Sequence, residues 1–259
     1  MQDKNTSPRS TEHGARSTEF VFGRRPVLEA LRAGSRIFHK LWIEEGTQGT
    51  EEILKLARDR GIPIERAHRG DLNKRVGGNH QGFLAQASGT SFHDLEGFLT
   101  QLPESAPAMI VALDEIQDPQ NVGAILRSAG FFGVSGAIVP RWRSAPVGET
   151  AARVSSGAID HVPLVRVTNL AAAVLTLKEA GFEVVGTDME GSPLEEHKPT
   201  TRTVLVFGNE GEGIRRLVRE RCDKLLKITG GGPVQSLNVG AAAAIFLHHF
   251  CRSVGSQPT

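Results

Sequence analysis

The chain has 259 residues, 39% apolar and 23% charged, with a formal net charge of +1, an ordinary globular composition that fits one large domain or two modest ones. No window approaches the ~18 apolar residues needed to span a bilayer and the N-terminus lacks a signal peptide's apolar core, so export and membrane insertion are not expected and a cytoplasmic setting is. The two cysteines, Cys222 and Cys251, are too few for a disulfide framework and lack metal-ligand spacing, so they read as free thiols in a reducing compartment with no bound metal.

Residues 1–18 are polar and without apolar periodicity and read as a disordered tail, as do 254–259. From Phe20 short elements alternate: a helix over 26–31, a strand over 37–43, a helix over 51–59, a strand at 62–64, a short helix over 71–76 and a strand over 83–87. They predict a small α/β domain over 19–89. A weak helix over 93–102 and the run Pro103-Glu104-Ser105-Ala106-Pro107 follow, and 90–105 are expected to be a linker. A second βα alternation fills 106–253, with strands at 109–113, 136–139, 162–165, 183–187, 203–207 and 225–228 and helices near 121–131, 148–155, 169–180, 214–220 and 237–250. Apolar, β-branched strands in such an alternation predict a parallel sheet covered on both faces. Residues 1–90 carry 15 Lys and Arg against 11 Asp and Glu, the remainder 15 against 18. A basic excess with His39, His68 and His80 in the same third suits a polyanion-binding face, and equally a solvated surface.

The apolar run 204–207 breaks into Gly208-Asn209-Glu210-Gly211-Glu212-Gly213, and 225–228 into Thr229-Gly230-Gly231-Gly232-Pro233. Ser236-Leu237-Asn238 then opens an alanine-rich helix, with Ser236 readable simply as its N-cap. Two glycine loops leaving neighbouring strand ends would meet at the carboxyl edge of a parallel sheet, where backbone N–H and C=O groups can reach a ligand. The usual nucleotide fingerprints are missing: the sequence has no G-x-x-x-x-G-K-[ST], no G-x-G-x-x-G after the first strand of either domain and no G-x-S-x-G elbow. Asp118-Pro119 is a good helix start. On that helix Asn121 and Arg127 lie roughly 120° apart at about 100° per residue, so they share no narrow face, and Arg127 reads equally as a surface arginine.

Taken in order, Asp118-Pro119-x-Asn121-x-Gly123-x-x-x-Arg127, Phe207-Gly208-Asn209-Glu210-Gly211-x-Gly213 and Ser236-Leu237-Asn238-Val239 resemble the three motifs of the SpoU family of RNA ribose 2′-O-methyltransferases, within the wider class of α/β proteins with a trefoil knot. Upstream, 22–31 (FGRRPVLEAL with its leading Phe22-Gly23) and Asn79-His80-Gln81-Gly82 resemble the small α/β substrate-binding domain, of ribosomal-protein type, found in the bacterial subgroup that methylates a guanosine in the peptidyl-transferase loop of 23S rRNA. The resemblance covers 20–252. It implies a knotted parallel-sheet methyltransferase domain over 106–253, S-adenosylmethionine as cofactor, an rRNA substrate and a homodimer. Carried over residue by residue, it implies that Asn121, Arg127, Glu210, Ser236 and Asn238 serve catalysis and that Gly208, Asn209, Ile228, Leu237 and Asn238 hold the cofactor. Arg24, Arg25, His80 and Gln81 would meet RNA. Two departures stand out: Ile228-Thr229-Gly230 replaces a common Ile-Pro-Met run, and Gly240 stands where a serine is common.

The chemistry suits such an assignment. A ribose hydroxyl is a poor nucleophile at pH 7, so a site must align it with the sulfonium methyl and ease loss of its proton. An arginine, with a pKa above about 12, is ill suited as a base, so Arg127 is expected to grip the phosphate beside the target ribose. Glu210, Ser236 and Asn238 would fix the loops and the target nucleotide. The rival expectations are a tRNA substrate for the same reaction and a non-catalytic RNA-binding protein of the same fold; the intact Asn121, Arg127, Glu210 and Asn238 argue against the latter.

Overall fold

In the computed structural model, which describes residues 18–77 and 79–253, the chain builds two β-sheets, of four and six strands. Of the tails expected over 1–18 and 254–259, residues 1–17 and 254–259 lie outside the described residues, and Thr18 is the first residue of a strand instead. The smaller sheet contains β1 (Thr18–Phe22), β2 (Phe38–Glu44), β3 (Ile64–Ala67) and β4 (Phe83–Ser88), interleaved with α1 (Arg24–Ala33), α2 (Glu51–Asp59) and α3 (Arg69–Val76). Its order is β1-β4-β2-β3, with β2 and β3 parallel and the other pairs antiparallel. Strand β1 has no counterpart in the sequence pattern. It exists because β4, some sixty residues away, satisfies its backbone in the register Thr18↔Ser88 to Phe22↔Leu84, and local periodicity carries no sign of such a partner.

Alternation along these strands separates two small cores. Val21, Leu41, Ile43, Phe83 and Ala85 face Val27, Leu31, Ile53 and Ala57 of α1 and α2, while Phe22, Trp42 and Leu84 face Leu72 of α3.

The larger sheet follows α4 (Leu95–Gln101). It runs through β5 (Ala108–Asp114), α5 (Pro119–Phe131), β6 (Gly136–Pro140), α6 (Glu149–Val154), β7 (Leu164–Val167), α7 (Leu170–Glu179), β8 (Glu183–Pro193), β9 (Arg202–Gly208), α8 (Arg216–Arg221), β10 (Lys224–Lys227) and α9 (Val239–Ser253). All five pairings in the order β10-β8-β9-β5-β6-β7 are parallel. The sheet is covered on both faces, as its sequence pattern predicts. Met109, Val111 and Leu113 pack with α5, α6 and α9, and Ala108, Ile110 and Ala112 with α7 and α8. On the second face α4, within the span expected to be a linker, buries Phe98 to 2% exposure. That ring lies so close to Gly136 that a Cβ there would sit 2.4 Å away.

One expectation about the edge is corrected. The two glycine loops do not leave neighbouring strands, because β8 runs between β9 and β10. The pairing of β8 with β10 jumps from Gly186↔Leu225 to Ser192↔Leu226, so β8 bulges there. Two strand spacings put the loop origins about 10 Å apart, with β8 between them.

The two units meet at a buried charge. Arg36, its side chain 2% exposed, donates from Nε to Asp160 at 2.5 Å, from Nη1 to Glu19 at 3.0 Å and from Nη2 to Thr90 at 2.9 Å. Asp160 closes a 3₁₀ turn, Ala158–Asp160, of the larger unit, and His161 beside it contacts Glu29 of α1 at 2.9 Å. Removing one partner of a buried pair leaves the other charge without compensation, at a cost of about 3–5 kcal/mol. Arg36→Ala is therefore expected to lower unfolding stability by that order in urea titration. A loss within about 0.5 kcal/mol, the scale of exposed pairs, would show that the contact between the units does not depend on this charge.

Candidate active site

The carboxyl end of β5 sets the site out. Asp114 ends the strand, Glu115 follows with a left-handed φ of +58°, and Asp118 caps α5 by accepting from Gln120 N at 2.8 Å, with Pro119 as the first helical residue. This start puts Asn121 in the first turn, only 9% exposed. Its Nδ2 donates to Glu210 Oε1, and its Oδ1 accepts from Asn238 Nδ2 at 2.8 Å. Asn238 Oδ1 in turn accepts from Gly240 N at 2.9 Å and Ala241 N at 3.4 Å. The N-cap of the last helix is thus Asn238 and not Ser236, and the helix starts at Val239. An asparagine amide both donates and accepts, so Asn121 joins one residue from each of the other two motif segments. Gly240 has a packing reason: an added Cβ would lie 2.8 Å from Ala124 Cβ, where α9 crosses α5.

The loop after β9 is a closed miniature hairpin. Asn209 and Gly213 exchange backbone hydrogen bonds of 3.0 and 2.9 Å, and Gly213 takes φ +68°. A Cβ on Gly208 would come within 2.2 Å of the Gly213 carbonyl carbon, so the close approach at the loop's base requires glycine. Asn209 Nδ2 donates to the Glu115 carbonyl at 3.0 Å while its Oδ1 accepts from Gly211 N at 2.8 Å. Glu210 is left exposed at the tip.

Below the tip lie residues that the sequence reading missed. Asp114 is fully buried; it accepts from Arg215 N and Nε, both at 2.8 Å, and pairs with Nη2 at 2.6 Å. Arg215 Nη1 also pairs with Glu115 at 2.8 Å. Burial disfavours the Arg215 charge, but the hydrogen bond and charge of Asp114, helped by Glu115, outweigh it and raise the guanidinium pKa. The available signal was a carboxylate directly after a fully apolar strand. Its partner, 101 residues on, had no local signature.

The side chains of the other expected residues make no hydrogen bond to this cluster among the described residues. Arg127 is exposed on α5 and has no ion pair or hydrogen bond among the described residues. Gly208 is buried, Ile228 is half-buried against the larger core, and Ser236 and Leu237 are exposed. In the smaller unit Arg24 and Arg25 are exposed, and Gln81 accepts from Arg24 N at 3.2 Å. His80 is 2% exposed. Its Nδ1 accepts from Gly82 N at 3.0 Å and its Nε2 meets Asn73 at 3.1 Å, so it shapes the turn that carries Gln81.

Beyond Ile228, the segment between β10 and α9 is exposed. Gly230, Gly231 and Gly232 have free space where a side chain would stand, which leaves backbone N–H and C=O groups reachable. Val234 and Leu237, 79% and 51% exposed, supply apolar surface for a ring. Among the described residues no group of three or more His, Cys, Asp or Glu could hold a metal ion, and no helix is long and apolar enough to cross a membrane.

Residues 108–248 match the SpoU rRNA Methylase family, and residues 20–92 match RNA 2′-O ribose methyltransferase substrate binding. The chain belongs to the SpoU methylase family. An uncharacterized tRNA/rRNA methyltransferase of Mycolicibacterium gilvum is 41% identical to this SpoU protein over 91% of the chain and 76% of its own length. A putative TrmH family tRNA/rRNA methyltransferase of Bacillus subtilis is 36% identical over 90% and 95%. Among solved structures, the SpoU methyltransferase AviRb of Streptomyces viridochromogenes, in complex with the cofactor AdoMet, superposes with a TM-score of 0.76 at 26% identity, over 91% of this chain and 90% of that one. The chain is accordingly an RNA methyltransferase.

The loop geometry yields a paired test. Gly208→Ala forces a backbone clash and is expected to cost about 1–3 kcal/mol of stability. Gly211→Ala, whose added Cβ would meet only Asn209 Oδ1 at 3.5 Å, should stay within about 0.5 kcal/mol. Equal unfolding midpoints for the two variants would sink the argument that the hairpin depends on Gly208.

Proposed function

We propose that this SpoU methylase transfers a methyl group from S-adenosylmethionine to the ribose 2′-hydroxyl of a guanosine in 23S rRNA. In this reading residues 19–89 select the RNA, through Arg24, Arg25 and Gln81 on the turn held by His80. Residues 106–253 hold the cofactor within a trefoil knot, and the active form is a homodimer. The observation that carries the reading is the relay Glu210–Asn121–Asn238, which ties all three motif segments together at the carboxyl edge of the larger sheet. S-adenosylmethionine is the methyl donor, and when bound it supplies an electrophilic methyl on sulfur. Backbone groups of Gly208, Ile228 and Leu237 hold it, and Asn209 fixes the first loop against the Glu115 carbonyl.

Asn121 and Asn238 keep the two loops in register with α5 and α9, while Glu210 and Ser236 face the incoming nucleotide. The unpartnered Arg127 grips the phosphate beside the target ribose. This aligns the hydroxyl with the methyl and stabilises the negative charge that grows on O2′ as its proton leaves. The presence of a separate substrate-binding unit over 20–92 supports a large folded RNA as substrate.

Dimerisation is supported by one exposed face. Phe131, 82% exposed, lies one turn beyond Arg127 on α5 and stacks edge-on with Phe132 at 5.0 Å; Phe132 contacts His248 of α9 at 6.2 Å. Ile245 of α9 is also exposed. A second copy seated there would lie beside Arg127. Light scattering at micromolar concentration is expected to give a dimer, and Phe131→Glu a monomer; a monomeric wild-type chain would end the dimer proposal.

Arg127→Ala should leave S-adenosylmethionine binding nearly unchanged, because other segments hold the cofactor. Methyl transfer should fall by two to three orders of magnitude, since a charge-assisted contact aligned in the transition state is worth about 3–4 kcal/mol. Arg127→Lys should rescue little, because an ammonium lacks the two-pronged fork. Single-turnover transfer within about threefold of wild type, in a variant that keeps its melting temperature and elution volume, would return Arg127 to the solvated surface. Mapping ribose methylation across total RNA with and without the protein tests the substrate. A single modified guanosine in 23S rRNA is expected, and a modified tRNA position would move the assignment.

A further inference from the structure

At the carboxyl end of β6 the chain reads Arg141-Trp142-Arg143, and all three residues are exposed. Trp142 is 66% exposed, whereas the other tryptophan, Trp42, is 4% exposed. Trp142 thus leaves a wide aromatic face in water between two cations, whereas Lys40 and Arg75 lie over the buried Trp42 ring. The Arg141 guanidinium lies 5.3 Å from the Trp142 ring centroid. Arg143 takes a left-handed φ of +59°; the carboxylate that approaches it, Glu115 at 3.8 Å, is already bound to Arg215 at 2.8 Å. Arg141 also lies near Arg166, whose pKa burial and then the charge of Arg141 lower.

The loop is also fixed to the active site. Ala145 N donates to the Ile116 carbonyl at 2.8 Å, and the preceding carbonyl, of Glu115, holds Asn209 at 3.0 Å. The Trp142 tip and the Glu210 loop therefore hang from adjacent peptides of one strand exit. An aromatic face gives a base a stacking platform, flanking guanidiniums pair with phosphates, and unpaired RNA is bound in this way without sequence readout.

Resting on the RNA methyltransferase reading, we propose that Arg141-Trp142-Arg143 is a stacking platform for an unpaired nucleotide of the substrate close to the one that is methylated. Trp142 takes the base, and Arg141 and Arg143 take the phosphates on either side. The platform would add substrate grip from the methyltransferase unit itself, apart from the N-terminal unit.

The chain has two tryptophans and no tyrosine, so the part of the emission that Trp142→Ala removes reports the platform. Titrating the full-length protein with a short single-stranded RNA oligonucleotide should quench the Trp142 emission, while inorganic polyphosphate, which has no bases, should leave it nearly unchanged. Trp142→Ala should weaken RNA binding on the order of tenfold to a hundredfold, the value of one stacked base, and raise KM for RNA with little change in kcat. S-adenosylmethionine affinity and elution volume should stay as in wild type. Arg141→Ala and Arg143→Ala should each reduce the salt dependence of RNA binding by about one phosphate contact. Unquenched emission at saturating RNA, or a Trp142→Ala affinity within twofold of wild type, would overturn the platform. So would a Trp142→Ala protein that elutes as a smaller species, which would assign the tip to a second copy of the chain. A wild-type protein that quenches with RNA yet methylates none would instead count against the proposed reaction and leave the platform standing.

Discussion

A carboxylate buried at the end of a β-strand is costly unless its charge and lone pairs are met, and Asp114 meets that condition through Arg215. The backbone N–H, Nε and Nη2 of one arginine converge on it, fixing where the chain must be when it leaves the hairpin after β9. The neighbouring carbonyls of Glu115 and Ile116 then hold Asn209 and Ala145. A short strand exit thus supports two loops that are distant in sequence. Without it, Asn121 and Glu210 would have no reason to meet, since the second sits at the tip of a five-residue loop with little other support.

Asn121 works because of what surrounds it. An amide in water gains little from one more hydrogen bond, but a nearly buried amide must satisfy both ends. Glu210 and Asn238 occupy those ends, and Asn238 spends its remaining oxygen on the first N–H groups of α9. The orientation of three segments therefore follows from satisfying both ends of the one amide that is buried, Asn121. Arg127 is the complement: it is exposed and paired with nothing among the described residues.

The contact between the two units follows the same rule on a different surface. Arg36 reaches Glu19 within its own unit and Asp160 in the other, so the buried Asp160 carboxylate meets its cation only when the two sit together. His161 and Glu29 add a second ionic contact at 2.9 Å, and Gly157 lets α1 approach, since a Cβ there would lie 2.5 Å from Glu29 Cβ. An RNA-facing unit anchored in this way can present a substrate to a site on the other unit at a defined distance, which a flexible tether would not do.

The amino-acid sequence alone determined the class of fold and singled out the three segments that meet through Asn121. Apolar β-branched runs separated by helical periods can be buried only in a covered parallel sheet, and Asp118-Pro119, Gly208 and Gly213 dictate helix start and loop shape by local sterics and capping. The tertiary structure decided what depends on partners far along the chain. Strand β1 forms because β4 offers its edge, β8 enters between β9 and β10, and the last helix is capped by Asn238 because Ser236 stays outside it. Asp114 found Arg215, and His80 turned inward to Asn73. Such outcomes follow from burial and hydrogen-bond satisfaction among residues separated by dozens of positions, and periodicity, which senses only neighbours within a turn or a strand, has no access to them.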